Sequence, residues 1–286
     1  MLNGPAKWWP SKLAADGYAA IFCDSVEELA ALRREVSAGR VRAGCIGVRL
    51  RPATVRSRFG VDLSDRRALR RTVSELRRLP RSQPIGFHFH QASSAIGVAT
   101  WRYLARNFIA AVRILGEQVG KRPSTMSFGG GWHPDDWALF LREDLAGLVR
   151  FARSEAPGIE RLILEPGKAI AQRSMCLLMR VIEARNAGRL FVVDGSVAEL
   201  PDMPSHPHGF VSRASSGRLR LWGRGDARLL GRLCMEFDVV GSGLGAPRGL
   251  RARDLVAVLD AGAYDASMAY PFSRGFPRVL SGPGTL

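Results

Sequence analysis

A chain of 286 residues with 46% hydrophobic content is long enough for one large domain or two ordinary ones and apolar enough to bury a core, which excludes a disordered polymer. Its formal charge of +16 is carried mostly by arginines spread along the whole length, the lysines being Lys7, Lys12, Lys121 and Lys168, so no nucleic-acid partner is expected. Neither a signal-peptide core nor an apolar run near the roughly 18 residues of a membrane span occurs, and Cys23, Cys45, Cys176 and Cys234 show no paired spacing, so the expectation is a reduced cytoplasmic protein with no membrane partner.

In chain order, short apolar runs predict strands over 19–25, 43–50, 84–91, 125–128 and 161–164, with amphipathic helices between them at about 26–38, 65–79, 100–119 and 136–155. Ser25 followed by Glu28 reads as a capping pair opening the first helix. Arg66, Arg67, Arg70, Arg71, Arg77 and Arg78 interleave with Leu69, Val73, Leu76 and Leu79 at helical spacing, which reads as a solvated helix face. Five strands alternating with helices are the rhythm of a parallel sheet.

After Gly167 the rhythm changes. Segments rich in β-branched and aromatic residues at 175–184, 189–194, 218–222, 235–240 and 255–260 read as strands, with a loop rich in Pro, Ser and His over 201–217. The expected fold class is α/β: an incomplete (β/α)8 barrel of about five of eight strands over 1–170, followed by a mainly β C-terminal domain over 171–286.

Four motifs end the apolar runs in small or polar residues. Gly129, Gly130 and Gly131 let backbone N–H groups approach an anion, and a helix starting near Pro134 would add its dipole. His88 and His90 alternate along one strand and so share a face. That pair could ligate a metal, but no carboxylate or third histidine stands convincingly beside it, so no metal is expected. His206 and His208, flanked by prolines, read as solvent-exposed, and His133 is open to either reading. Glu165, before Pro166 and Gly167, either caps a turn or meets a cationic group.

The motifs keep a fixed order: Asn3-Gly4-Pro5-Ala6-Lys7, Phe22-Cys23-Asp24-Ser25, Val48-Arg49-Leu50-Arg51-Pro52, Ser57-Arg58-Phe59-Gly60, His88-Phe89-His90-Gln91-Ala92-Ser93, Ser127-Phe128-Gly129-Gly130-Gly131, Leu164-Glu165-Pro166-Gly167-Lys168, Asp260-Ala261-Gly262-Ala263-Tyr264 and Phe276-Pro277-Arg278-Val279-Leu280. That order resembles the fold type III decarboxylases that use pyridoxal 5'-phosphate, the alanine-racemase-like group that contains ornithine, arginine and diaminopimelate decarboxylases.

The resemblance implies roles. His90 would stack on the pyridine face, Ser93 with Gly129, Gly130 and Gly131 would hold the phosphate, and Tyr264 would add a hydroxyl contact. Glu165 would pair with the protonated ring nitrogen, and Arg49 and Lys168 would complete the cofactor contacts. Cys234 would serve as general acid in the active site of a partner subunit, which implies a homodimer with shared sites acting on a small amino-acid substrate.

Three departures follow from the same resemblance. The lysine that members use for their Schiff base, in a stretch like Tyr-Ala-x-Lys-Ala, is absent; Lys168 stands in place of arginine; Ser127 and Met235 stand where acids are usual. The expectation is therefore the C-terminal three quarters of such a decarboxylase, inactive by itself. Alternatives are a non-catalytic pseudoenzyme, one half of a split enzyme, or a metal-dependent barrel hydrolase resting on His88 and His90.

Overall fold

Residues 1–5, 17–204, 206, 208–213, 217–272 and 275–281 are described by a computed structural model of the chain, and they fall into two units, Met1–Gly167 and Lys168–Leu286. Ala6, Lys7 and Lys12 lie outside the described residues.

In the first unit, β1 (Ile21–Cys23) leads into α1 (Val26–Ser37). Ser25 Oγ accepts the N–H of Glu28 at 3.1 Å, and the Glu28 carboxylate accepts the N–H of Asp24 at 2.6 Å, so the capping pair forms with its return bond one residue early. β2 (Ile46–Arg51) and the two-residue β3 (Val61–Asp62) precede α2 (Arg66–Arg77), which Asp65 caps by accepting from the N–H groups of Arg67 and Ala68. α2 buries Val73 and Leu76 and leaves Arg66, Arg67 and Arg70 exposed, as its spacing requires.

β4 (Ile85–Phe89) is followed by the single turn α3 (Ser93–Ile96) and the long α4 (Val98–Val119), then β5 (Pro123–Ser127). The helix expected over 136–155 is two helices, α5 (Pro134–Glu143) and α6 (Leu145–Glu155), before β6 (Arg161–Ile163). The break is at Asp144, whose φ of −111° leaves helical geometry and whose carboxylate is held by Arg102 at 2.5 Å.

The strands run parallel in the order β1-β2-β4-β5-β6, with β3 paired to β2. Leu2 makes a further parallel bridge to Ile21 at the β1 edge. Asn3, next to that bridge, hydrogen-bonds Glu165, which follows the opposite edge strand β6, so the sheet curls its two edges toward each other. This is an incomplete barrel of the (β/α)8 kind.

An aromatic cluster fills the space between sheet and helices. Phe89 and Phe128 meet Trp101 and Phe108 of α4, while Trp132 lies 4.4 Å from Trp101 and 4.6 Å from Phe140 between ring centroids. Each of these rings is at most 1% exposed, a burial that contributes about 1.5–3 kcal/mol per side chain. Because Trp132 follows Gly131 directly, this packing fixes the glycine turn to the core.

The second unit is mainly β. After the short α7 (Gly167–Ala171), β7 (Leu177–Arg185), β8 (Leu190–Val193), β9 (Phe210–Arg213), β10 (Leu219–Leu221), β11 (Gly223–Leu230), β12 (Val239–Gly245) and β13 (Leu255–Val258) build one sheet in the order β10-β9-β13-β7-β8-β11-β12, with the four-residue α8 (Asp265–Met268) beyond it. All neighbours are antiparallel except the parallel pair β8–β11. Met179, Val181, Phe191, Val193, Phe210, Trp222, Leu229, Val240, Val256 and Val258 form its core, and Trp222 Nε1 donates to Ser212 Oγ at 2.9 Å.

Three expectations are corrected here. The segment 201–217 is not wholly loop, since β9 lies within it and pairs with both β13 and β10. Residues 235–238 form a turn closed by the Asp238 N–H on Met235 O, and the strand starts at Val239. Gly223–Leu230 is a strand although its glycines and charges conceal it; pairing with β8 and β12 supplies what propensity does not.

Candidate active site at the strand ends of the first unit

Arg49, His88, Ser127 and Ile163 lie in register across β2, β4, β5 and β6. Partners in parallel register share a face, so these side chains form one layer at the C-terminal ends of the strands, with His90 and Glu165 two residues further on.

His88 is 1% exposed and stacks on Phe22 at 5.6 Å between ring centroids. Its Nε2 lies 3.4 Å from Glu165 Oε1, and neither ring nitrogen has a hydrogen-bond partner among the described residues. Burial pushes its pKa down, which keeps the imidazole neutral. The ring of His90 lies 6.1 Å from that of His88, and His90 Nδ1 accepts the N–H of Gly130 at 3.2 Å. Burial, reinforced by the positive charge of Arg49, lowers the His90 pKa to about 4, so this ring is also neutral at pH 7.

Glu165 Oε1 accepts from Ser127 Oγ at 2.8 Å, and Asn3 Nδ2 lies 3.2 Å from Oε1 and 3.0 Å from Oε2. Burial works to raise its pKa, but His88, Ser127 and Asn3 outweigh it and hold the carboxyl at about 2. The carboxylate is ionised and keeps 24% of its side chain exposed. Arg49 donates to His90 O at 3.4 Å, lies 3.7 Å from Asp24 and sits over the Phe59 ring at 5.0 Å; burial lowers its pKa against the opposing pull of Asp24 and Glu165.

The glycine turn is built by close approach. A Cβ on Gly130 would fall 2.1 Å from Glu165 O, while Gly129 and Gly131 have φ of +64° and +80°. Ser93 is buried at the start of α3, and its hydroxyl donates to Asp136 Oδ2 at 3.3 Å. A phosphate at this turn would share it with a carboxylate.

The fold thus brings Glu165, His88, His90, Arg49 and the glycine turn together. It also corrects the expectation that no carboxylate stands beside the histidine pair: one ligand atom each from His88, His90 and Glu165 lies within 4.8 Å of the others. Asn3, Asp24, Ser127 and Asp136 were not singled out as site residues by sequence, because their partners are 25 to 162 positions away and only strand pairing joins them. His133 is explained locally, its Nδ1 accepting the N–H of Asp135 at the start of α5.

Other residues given a role by resemblance belong to the second unit. Lys168 is 4% exposed, and its Nζ has no hydrogen-bond partner among the described residues; burial lowers its pKa, while the charges of Asp202 and Asp265 raise it. Tyr264 is 47% exposed and Cys234 is exposed. His208, expected to be solvated, is not, since its side chain is 1% exposed against Asp265, whereas His206 stays partly exposed with Nδ1 2.6 Å from Asp202. No helix among the described residues is long and apolar enough to cross a membrane.

Comparison with known proteins gives a consistent result. No family model matches the chain. It is 29% identical over 235 residues to a diaminopimelate decarboxylase of Actinosynnema pretiosum, covering 78% of this chain but 52% of that protein. It is also 29% identical over 282 residues to that of Deinococcus radiodurans, covering 94% and 68%. The chain thus spans about half the length of the first relative and two thirds of the second.

Among solved structures, diaminopimelate decarboxylase from M. jannaschii matches with a TM-score of 0.69 at 20% identity, over 89% of this chain and 62% of that one. The Paramecium bursaria Chlorella virus arginine decarboxylase bound to agmatine matches with a TM-score of 0.67 at 18% identity, over 90% and 69%. By sequence, then, the chain is similar to diaminopimelate decarboxylases, and its fold is that of the solved fold type III decarboxylases, the group its motifs resemble.

Proposed function

We propose that the strand-end site of the first unit receives the ring of pyridoxal 5'-phosphate and that the chain is part of an amino-acid decarboxylase of the diaminopimelate type. The observation that carries this reading is Glu165, an acid held ionised by His88, Ser127 and Asn3 at the C-terminal ends of the strands. Such a donor set fits a protonated pyridine nitrogen, and a neutral His90 fits a ring face. The fit is weaker at the phosphate end, where Asp136 faces Ser93.

When bound, the protonated ring supplies an electron sink for the carbanion that decarboxylation leaves at Cα. The work of the chain is then electrostatic and positional. Glu165 keeps the ring proton in place, and Ser127 and Asn3 keep Glu165 aimed. His90 covers one ring face without adding a charge that would oppose the proton. Arg49 balances the acids at the site mouth.

The roles implied by resemblance for Tyr264, Lys168 and Cys234, and a homodimer with shared sites, form part of the same proposal. The first unit has one described lysine, Lys121, and its amine donates to Leu79 O at 3.2 Å and Pro80 O at 2.8 Å. No described lysine of that unit is therefore free to anchor the cofactor, and the chain alone is expected to bind the cofactor without turnover.

The test is a fluorescence titration of the purified chain with pyridoxal 5'-phosphate, run beside Glu165→Gln, with carbon dioxide release from diaminopimelate measured after adding a polypeptide that carries the Tyr-Ala-x-Lys-Ala segment. Saturable binding weakened tenfold or more by Glu165→Gln, with release on complementation, supports the reading. Absence of saturable binding refutes it; binding without release on complementation favours the pseudoenzyme.

A further inference from the structure

We infer that, when no cofactor ring occupies the site, His88, His90 and Glu165 form a binding site for one divalent transition-metal ion, with zinc as the representative ion. The inference does not depend on the cofactor reading.

The first argument is the donor set. One ligand atom from each residue lies within 4.8 Å of the other two, and two imidazoles with one carboxylate are a combination that borderline divalent ions favour. Bonds of about 2.1 Å in a tetrahedral array place neighbouring donors about 3.4 Å apart. His88 Nε2 and Glu165 Oε1 already stand at 3.4 Å. A separation at the 4.8 Å limit must close by about 1.4 Å, and His90 and Glu165, both only partly buried, are the residues with room to move.

The second argument is His88 itself. It is 1% exposed, and both its nitrogens lack a hydrogen-bond partner among the described residues. A buried nitrogen without a partner is destabilising, and a metal bond at Nε2, the atom that faces Glu165, would satisfy one of the two.

The surroundings match a metal centre with an open position. Ser127 and Asn3 hydrogen-bond Glu165 and hold its orientation, as outer partners of a ligating carboxylate do. Three protein donors leave a fourth place for water or another ligand. The cost is the single bond from Gly130 N–H to His90 Nδ1, 3.2 Å long, which a metal–imidazole bond outweighs. If His90 turns to the ion, the Gly130 N–H loses its acceptor and becomes available to an anion.

The test uses the tag-free chain, stripped with a chelator and titrated with Zn2+ in competition with a chromophoric indicator, without pyridoxal 5'-phosphate. Co2+ reports coordination through its visible bands. One ion per chain is expected, with affinity falling at least tenfold in Glu165→Gln and in His90→Gln, and with intense four-coordinate Co2+ bands. His88→Ala is measured only where circular dichroism matches the parent.

Substoichiometric binding, or unchanged binding in both Glu165→Gln and His90→Gln, overturns the inference. The second outcome would assign the ion to exposed cysteines or to His206. Because the cofactor is left out, failure of the decarboxylase reading leaves this result unaffected, and failure here leaves the cofactor titration unaffected.

Discussion

His208 Nε2 lies 2.8 Å from Asp265 Oδ2, with both side chains 1% exposed. The other ring nitrogen, Nδ1, lies 2.8 Å from His206 O, so both partners are acceptors, an arrangement that favours the protonated ring. Asp265 Oδ1 accepts the N–H of Asp202 at 2.9 Å. The same residue closes a γ-turn over Tyr264, its N–H donating to Ala263 O at 2.9 Å while Tyr264 holds φ 69° and ψ −44°. A bulky residue in that region costs about 1–3 kcal/mol, which the buried pair offsets. Asp265→Ala is expected to lower stability by about 3–5 kcal/mol, because it leaves His208 buried without its counter-charge. Urea unfolding of the variant measures this, and a loss under 1 kcal/mol would reject the clamp.

The two units should respond to pH with opposite signs. Burial works against a charged His208, but Asp265 outweighs it and the pKa ends above its ordinary value. Its contribution is full below the ordinary histidine pKa and is lost as pH rises through the raised value. In the first unit His90 is lowered to about 4 and His88 is lowered too. Their contribution is present above the ordinary histidine pKa, about 6.5, and is lost as pH falls toward 4, a change on the order of 3 kcal/mol for His90. Trp222 reports the second unit, while Trp101, Trp132 and Trp137, together with Trp8 and Trp9 outside the described residues, report the first. Unfolding followed in Trp222→Phe, between pH 4 and 7, should show the acid-side loss; no change there would contradict it.

Much of the first unit was legible because its strands are apolar runs bounded by caps and glycines. Ser25 and Glu28 cap α1 as their spacing suggests, and Val73 and Leu76 set the buried face of α2. What local pattern could not give was pairing. β11, with Gly223 and Gly225 among charges, is a strand only through β8 and β12, and β9 sits in a stretch whose composition signals loop. In the site, His88, His90, Glu165 and the glycines stood out by type, but the partners that set their charge state did not. Asn3 is 162 positions from Glu165, and Ser127 is 38. His208 was misread for the same reason, since Asp265, 57 positions away, buries it from outside the proline-flanked segment.

Asp136 sets a limit on anion binding at the glycine turn. Its carboxylate accepts from Ser93 Oγ at 3.3 Å, so an incoming phosphate meets a negative charge and a hydroxyl already engaged. Asp136→Asn removes the charge and keeps an acceptor. A repulsion of about 1 kcal/mol, the scale of two charges 4 Å apart in water, corresponds to roughly fivefold tighter binding in the variant. Calorimetric titration with inorganic phosphate checks this. Equal affinity in parent and variant would place the anion away from Ser93.

Trp132 ties the turn to the core, packing on Trp101 and Phe140 with no part of its side chain exposed. Truncating a buried aromatic of this size costs about 3–5 kcal/mol. Trp132→Phe should cost less while leaving a gap beside Gly131, and so should separate stability from site order. The amide resonances of Gly129, Gly130 and Gly131 are expected to broaden in that variant while those of β1 stay sharp. Uniform sharpness across both would show that the turn holds its shape without the tryptophan.

Gly130→Ala tests the approach between the glycine turn and the acid most directly. The added Cβ would stand 2.1 Å from Glu165 O, a backbone atom, so one of the two strand ends must move. The strain is expected to cost about 1–3 kcal/mol. The movement also draws the Gly130 N–H away from His90 Nδ1 and Glu165 away from Ser127, and these are the contacts that keep the site's charges in place. With Ser127 and Asn3 withdrawn, the Glu165 pKa should rise from about 2 toward the ordinary carboxylate value, since burial is then left less opposed. Carbon-13 NMR titration of labelled glutamate carboxyls reads this directly. A variant that loses stability but keeps the low Glu165 pKa would mean that Ser127 and Asn3 follow the acid wherever the turn moves.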